Sequence, residues 1–148
     1  MFFTGTFSGG GSGTLERLAV LRFEGDEIGG KIVNLLPYVA VTNVSDRAMW
    51  KVPEITPYPI LVRADFLWND RETHFGAHYF IVDAWLFNER LDRYVKAFSY
   101  KTKTKYDGGD GGPVHVLKRE RQEILRRLQD TKPVSALTAP DAGSPQWR

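Results

Sequence analysis

Between Ile60 and Tyr106 the chain repeats one pattern three times: a strand-length run rich in aromatic and β-branched residues, closed by a short polar turn. In "ILVRADFLW" (60–68) the residues Ile60, Val62, Ala64, Phe66 and Trp68 share one face of a strand, and "NDRE" follows as a turn. Residues 73–87 form a long second strand, "NERLD" turns again, and residues 93–106 return. Side chains alternate across a strand with period two, and short turns join antiparallel neighbours, so this stretch is constrained to an antiparallel meander.

The flanking segments fill in an α+β domain. "LAVLRF" (18–23) is a short apolar run that fits a mostly buried strand. In "GDEIGGKIVNLL" the residues Ile28, Ile32, Leu35 and Leu36 recur at helical spacing, with Asp26 and Glu27 suited to the positive end of a helix. Gly29 and Gly30 argue instead for a strand, a tight turn and a second strand, since each costs up to about 1 kcal/mol in a helix interior. The favoured reading is a short N-terminal helix over roughly 26–36, ended by Pro37. "YVAVTNV" (38–44) reads as a strand, "SDRA" as a turn, and "VPEITPYP" (52–59), with its three prolines, as an extended connection.

The last element is the plainest helix of the sequence. Pro113 fits the first helical position, Val114, Leu117, Ile124, Leu125 and Leu128 make one apolar stripe, and Glu123 with Arg127 is a favourable i, i+4 pair. From Thr131 onward, three prolines and small polar residues show no periodicity. The domain organisation that results is a flexible segment at 1–14, containing the linker-like "SGGGSG", a single α+β domain at 15–130, and a disordered tail at 131–148.

A chain of 148 residues, 42% hydrophobic and 13% aromatic, has the material for one core. The absence of cysteine excludes disulfides, thiolate nucleophiles and thiolate metal sites. No stretch approaches the roughly 18–20 apolar residues of a membrane-spanning helix, and "MFFTGTFSGGGSGT" lacks the charged and apolar regions of a secretory signal, so a cytoplasmic protein is expected. Charge is unevenly spread. Residues 1–92 hold 8 Lys/Arg against 12 Asp/Glu, and residues 93–148 hold 12 against 6, giving −4 and +6. Such polarity suits a polyanionic partner, or attraction between the two halves within or between copies.

Candidate sites are few. His74 and His78 would lie about 13 Å apart along a strand, too far to share one metal ion, so no metal or cofactor is expected. Asp83 interrupts "YFIVDAWLF" on the face of Tyr79, Ile81, Trp85 and Phe87, where a carboxylate needs a partner; Arg63 on the neighbouring strand could provide one, or a bulge could turn Asp83 outward. The loop "YDGGDGGP" before the terminal helix lacks the spacing of a calcium loop, and Asp107 and Asp110 would compete with a phosphate at the helix N-terminus. No nucleophile elbow, zinc-protease helix or nucleotide-binding glycine loop is present.

Lys101, Lys103 and Lys105 form a comb on alternate positions. A regular strand would place them with Arg93, Val95, Ala97 and Ser99, opposite Tyr94, Lys96, Phe98, Tyr100, Thr102, Thr104 and Tyr106. Separating basic from aromatic residues suits a solvated, aggregation-resistant edge better than a nucleic-acid surface, which wants both together. The expected function is therefore a non-enzymatic protein-interaction or assembly module, binding a protein partner or a second copy of itself. The alternative is a binder of nucleic acid or another polyanion through Lys101, Lys103, Lys105, Arg119, Arg126 and Arg127. An enzyme using Asp83 with a histidine comes third.

Overall fold

The meander forms as its pattern requires, with one more strand than the sequence suggested. The computed structural model describes residues 2–8, 14–25, 29–42, 44–67, 76–107 and 115–131. Strands β5 (Ser45–Trp50), β6 (Ile60–Phe66), β7 (Phe80–Asn88) and β8 (Arg93–Lys101) make an antiparallel sheet in that order. Trp68 and residues 69–75, which include His74, lie outside the described residues. The stretch "SDRA", expected to turn, is the first part of β5, paired from Ser45↔Asp65 to Trp50↔Ile60. Neighbours in the sheet supply what its polar sequence conceals: Arg47 sits in register with Arg63, and Ala48 packs against the core.

A second antiparallel sheet is built on β2 (Thr14–Gly25), which pairs with β1 (Phe2–Ser8) along one edge. β1 lies within the segment read as flexible. Along the other edge run β3 (Gly30–Asn34) and then β4 (Val39–Thr42).

The N-terminal helix expected over 26–36 is replaced by the β2–β3 hairpin, whose residues 26–28 lie outside the described residues. Glycine decides the matter. Gly25 holds φ at +150°, and a Cβ on Gly30 would overlap the Phe23 ring lying across it. The apolar residues that suggested a helical stripe part company: Ile32 on β3 faces solvent, while Leu35 and Leu36, just past the end of that strand, enter the core.

Residues 35–38 span only Ala19 and Val20 on β2, so the β3–β4 edge carries an irregularity there. Within it the Leu35 N–H donates to Val20 O at 2.8 Å, and Leu35 O accepts from the Tyr94 N–H at 2.7 Å, tying this sheet to β8.

The two sheets pack through Leu18, Val20, Leu35, Leu36, Val39 and Val41 on one side and Leu61, Trp85 and Tyr94 on the other. The opposite face of the β5–β8 sheet carries Ile60, Val62, Ala64, Phe80, Val82 and Ala84, and is covered by helix α1 (Val116–Asp130) through Val116, Leu117, Ile124 and Leu128. β6 and β7 are thus buried on both faces, which explains their nearly continuous apolar runs.

Helix α1 starts at Val116, with residues 108–114 outside the described residues, and carries the expected Glu123–Arg127 pair at 2.7 Å. His115 provides no side-chain cap. Asp46 of β5 does so from a distance in sequence: its Oδ2 accepts from the Leu117 N–H at 2.8 Å, satisfying a free donor and placing negative charge at the positive helix end. Glu120 anchors the next turn by accepting hydrogen bonds from the Tyr100 and Tyr106 hydroxyls. Leu125 is only partly buried.

Candidate functional site

Three surfaces carry the unusual chemistry of the molecule. The first is a charged row on the face of the β5–β8 sheet turned toward the other sheet. Arg63 and Asp83 are register partners on β6 and β7, and the carboxylate, 1% exposed, accepts from Arg63 Nε at 3.1 Å and from its Nη2. Lys96 Nζ reaches Asp83 Oδ1 at 2.9 Å.

That third partner depends on a bulge. β8 pairs Ala84 with Phe98 but Trp85 with Lys96, so Ala97 is the additional residue and the side-chain parity of the strand reverses there. The expected division of β8 is corrected accordingly: Tyr94, Lys96, Ser99 and Lys101 share one face, and Phe98 and Tyr100 pack on the helix side.

Burial pushes the Asp83 carboxyl upward. The Lys96 hydrogen bond, the Arg63 charge and the bonds from Ser99 and Arg63 outweigh it and hold the group below the ordinary carboxylate range. Arg63 also donates to Ala40 O at 2.6 Å, and both cations lie over the Trp85 ring, at 5.5 Å for Arg63 and 5.3 Å for Lys96. An ionised, doubly paired Asp83 is a poor proton donor at neutral pH. The described histidines do not approach it. His78 lies on the helix side of the sheet, its ring 4.0 Å from Phe66, and His115 precedes the helix covering that same side.

The second surface is the lysine comb. β8 ends at Lys101, and the chain then bends instead of continuing as a strand. Buried Thr102 fixes the bend: its N–H donates to Phe80 O at 2.9 Å, its Oγ1 accepts from the Phe80 N–H at 3.0 Å, and the hydroxyl donates to Thr104 O at 2.9 Å. His78 and Tyr106 then exchange backbone hydrogen bonds at 2.9 and 2.7 Å. The result places Lys101 Nζ 4.2 Å and Lys105 Nζ 5.3 Å from the centroid of one ring, that of Tyr79, while Lys103 is exposed at the bend.

The arginines of the sequence-derived set lie elsewhere, on α1. Arg126 pairs with Glu123 and Asp130, Arg127 pairs with Glu123 and stacks over Tyr100 at 4.3 Å, and Arg119 lies 5.8 Å from the Tyr106 ring. The fold therefore joins Lys101 and Lys105 through Tyr79 and sets the arginines on the helix side of the sheet. Tyr79 escaped the sequence reading because its contact needs the bend, whose signal, a threonine within a lysine run, is weak.

The third surface is apolar and belongs to the β1–β4 sheet. Phe23 and Ile32 are directly opposed on β2 and β3, with 61% and 69% of their surfaces exposed. Tyr38, 70% exposed, lies under the Arg17 guanidinium at 4.5 Å. On the opposite face of this hairpin, turned toward the other sheet, Arg22 bridges Glu24 and Asp92, and Lys31 reaches Glu24 at 3.1 Å. Between β2 and the β7–β8 turn an open cleft of about 750 Å³ is lined by Val20, Arg22, Met49, Tyr58, Phe87 and Tyr94. Its aromatic wall is continuous, with ring centroids 4.8 Å apart for Tyr58 and Phe87 and 5.6 Å apart for Phe87 and Tyr94. Comparison with family models, with curated proteins and with solved structures finds no match for the chain.

Proposed function

We propose that this chain is a non-enzymatic protein-interaction module. The observation that supports it best is the exposed cross-strand pair Phe23–Ile32. A single exposed apolar side chain is ordinary. Two in direct register, with Phe23 laid across Gly30, form a preset apolar patch of the kind that protein interfaces cover. Removing such side chains from water yields about 1.5–3 kcal/mol each, the range of an interface hot spot.

The test is affinity capture from nuclease-treated native lysate with the full chain and with the double variant Phe23→Ser, Ile32→Ser. Size-exclusion chromatography with light scattering on both proteins separates self-association from a foreign partner. A bound protein or dimer that survives nuclease and is lost in the variant, with the thermal midpoint unchanged, is the expected result. Capture that disappears with nuclease, or that the double variant retains in full, would overturn the reading.

A further inference from the structure

The cleft between β2 and the β7–β8 turn lies across the β2–β3 hairpin from the exposed Phe23–Ile32 pair, and its lining has a chemistry of its own. Val20, Leu35 and Met49 form an apolar floor. Along one wall the rings of Tyr58, Phe87 and Tyr94 follow one another, inclined by 50° and 67°, so the wall is folded and turns ring faces in more than one direction. The hydrogen-bonding groups of this wall are already engaged. The Tyr94 hydroxyl donates to Pro59 O at 2.9 Å, and the Tyr58 hydroxyl is bonded to the Glu89 carboxylate: burial, the Glu89 charge and that bond, in this order, raise the phenol above its ordinary value.

Charge decides what such a wall accepts. Among the described residues Arg22 is the only cation lining the cleft, and Glu24 and Asp92 clamp it. Glu24 also holds Lys31, so these two cations and two carboxylates cancel and the Glu89 carboxylate is left over. Arg90, next in the chain, lines a neighbouring cavity instead. The turn that carries Glu89 is set before any ligand arrives: Asp92 holds φ at +49°, its N–H donates to Glu89 O at 3.3 Å, and its side chain is fixed by Arg22 of β2. An anion is repelled here. A primary ammonium would need acceptors for three N–H groups where the acceptors are taken. A quaternary ammonium needs none, and both ring faces and a carboxylate attract it. We propose that the cleft binds a small molecule carrying a quaternary ammonium group on a short aliphatic stem, with the cation against the aromatic wall beside Glu89 and the stem over the apolar floor.

The experiment is an NMR titration of the backbone amide signals of the full chain, at constant ionic strength, with choline, with its neutral carbon isostere neohexyl alcohol, and with ethanolamine. The variants are Glu89→Gln and, separately, Tyr58→Leu. Choline should bind with a Kd of about 1–10 mM, as suits a ligand of so few atoms, and shift the amides of Glu89, Asp92 and Tyr94. Neohexyl alcohol and ethanolamine should each bind about fivefold or more weakly. Glu89→Gln should weaken choline by about threefold or more and leave neohexyl alcohol unchanged, and Tyr58→Leu should weaken choline by about fivefold. If Tyr58→Leu does not fold, Glu89→Gln, a change at the surface, and the isostere decide alone. No shift of those amides by about 50 mM choline would overturn the proposal. Equal binding of neohexyl alcohol would mean a merely apolar cleft, and equal binding of ethanolamine would mean attraction to the carboxylate alone; either overturns it, as does an unchanged choline affinity in Glu89→Gln.

Discussion

Replacing Asp83 by Asn keeps the shape of the side chain and removes its charge from the most buried ionic contact described in the molecule. Losing one member of a buried ion pair costs about 3–5 kcal/mol, chiefly because the remaining charge is left without compensation. Two features of this site reduce the figure. Arg63, its side chain 11% exposed, keeps the bond to Ala40 O and a second carboxylate, Asp65, at 3.8 Å, while half-exposed Lys96 regains hydration. The expected loss is therefore about 2–3 kcal/mol, or a Tm lower by roughly 5–10 °C for a chain of this size.

The loss also depends on pH in a defined direction. The folded protein holds the Asp83 carboxyl below its ordinary value, so its contribution is complete above the unfolded-state pKa and disappears as pH falls through the lower folded-state value. Urea melts at pH 7 and at successively more acid pH should show the gap between wild type and variant closing. As a control, Lys96→Met should cost less than about 1 kcal/mol, since its side chain is half exposed and Arg63 still pairs with Asp83. A variant within about 0.5 kcal/mol of wild type at pH 7, or a gap that does not shrink in acid, would refute the argument that Asp83 compensates Arg63.

Two further predictions concern the helix. Ile124→Ala should cost about 3–4 kcal/mol by urea denaturation and Leu125→Ala clearly less, because Ile124 is fully buried and Leu125 only partly; the reverse order would mean that the stripe is rotated. Burial and the Glu120 carboxylate push the Tyr106 hydroxyl up to about 12 and raise Tyr100 as well. Absorbance at 295 nm should show Tyr106 ionising near that pH, and the stability that the neutral phenol contributes should persist below its unfolded pKa and be lost as pH rises through about 12. Ionisation of Tyr106 at an ordinary phenol pH in the folded state would show that it is not held at Glu120.

The meander and the terminal helix were legible because burial imposes a periodicity that few other arrangements share. Ile60, Val62 and Ala64 alternate with residues of the other face, and Leu117, Ile124 and Leu128 fall on one side of a helix. Asp83 and its partner Arg63 were legible for a similar reason, since a charge among core residues implies a counter-charge one strand away.

What escaped depends on contacts remote in sequence. Ile32, Leu35 and Leu36 have helical spacing, yet the ring of Phe23 requires the space over Gly30, and the hairpin wins. "SDRA" carries turn residues, but the edge of β6 holds it as a strand. The bulge at Ala97 has no sequence signature of its own, although it decides that Lys96 meets Asp83 and that Lys101 shares its face. The meeting of Lys101 and Lys105 at Tyr79 needs both that bulge and the bend at Thr102.

The bond from Leu117 to Asp46 joins residues 71 positions apart. During synthesis β5–β8 emerge before the helix that covers them, so Ile60, Val62, Phe80 and Val82 form an uncovered apolar face while the ribosome adds the following residues at about 5–20 per second. The helix has no acidic residue in its own first turn, and its Leu117 N–H gains the Asp46 carboxylate only once β5 is in place. Sheet and helix are therefore obligate partners in time as well as in space, and a nascent chain paused before Val116 would present the surface on which chaperones and aggregation compete.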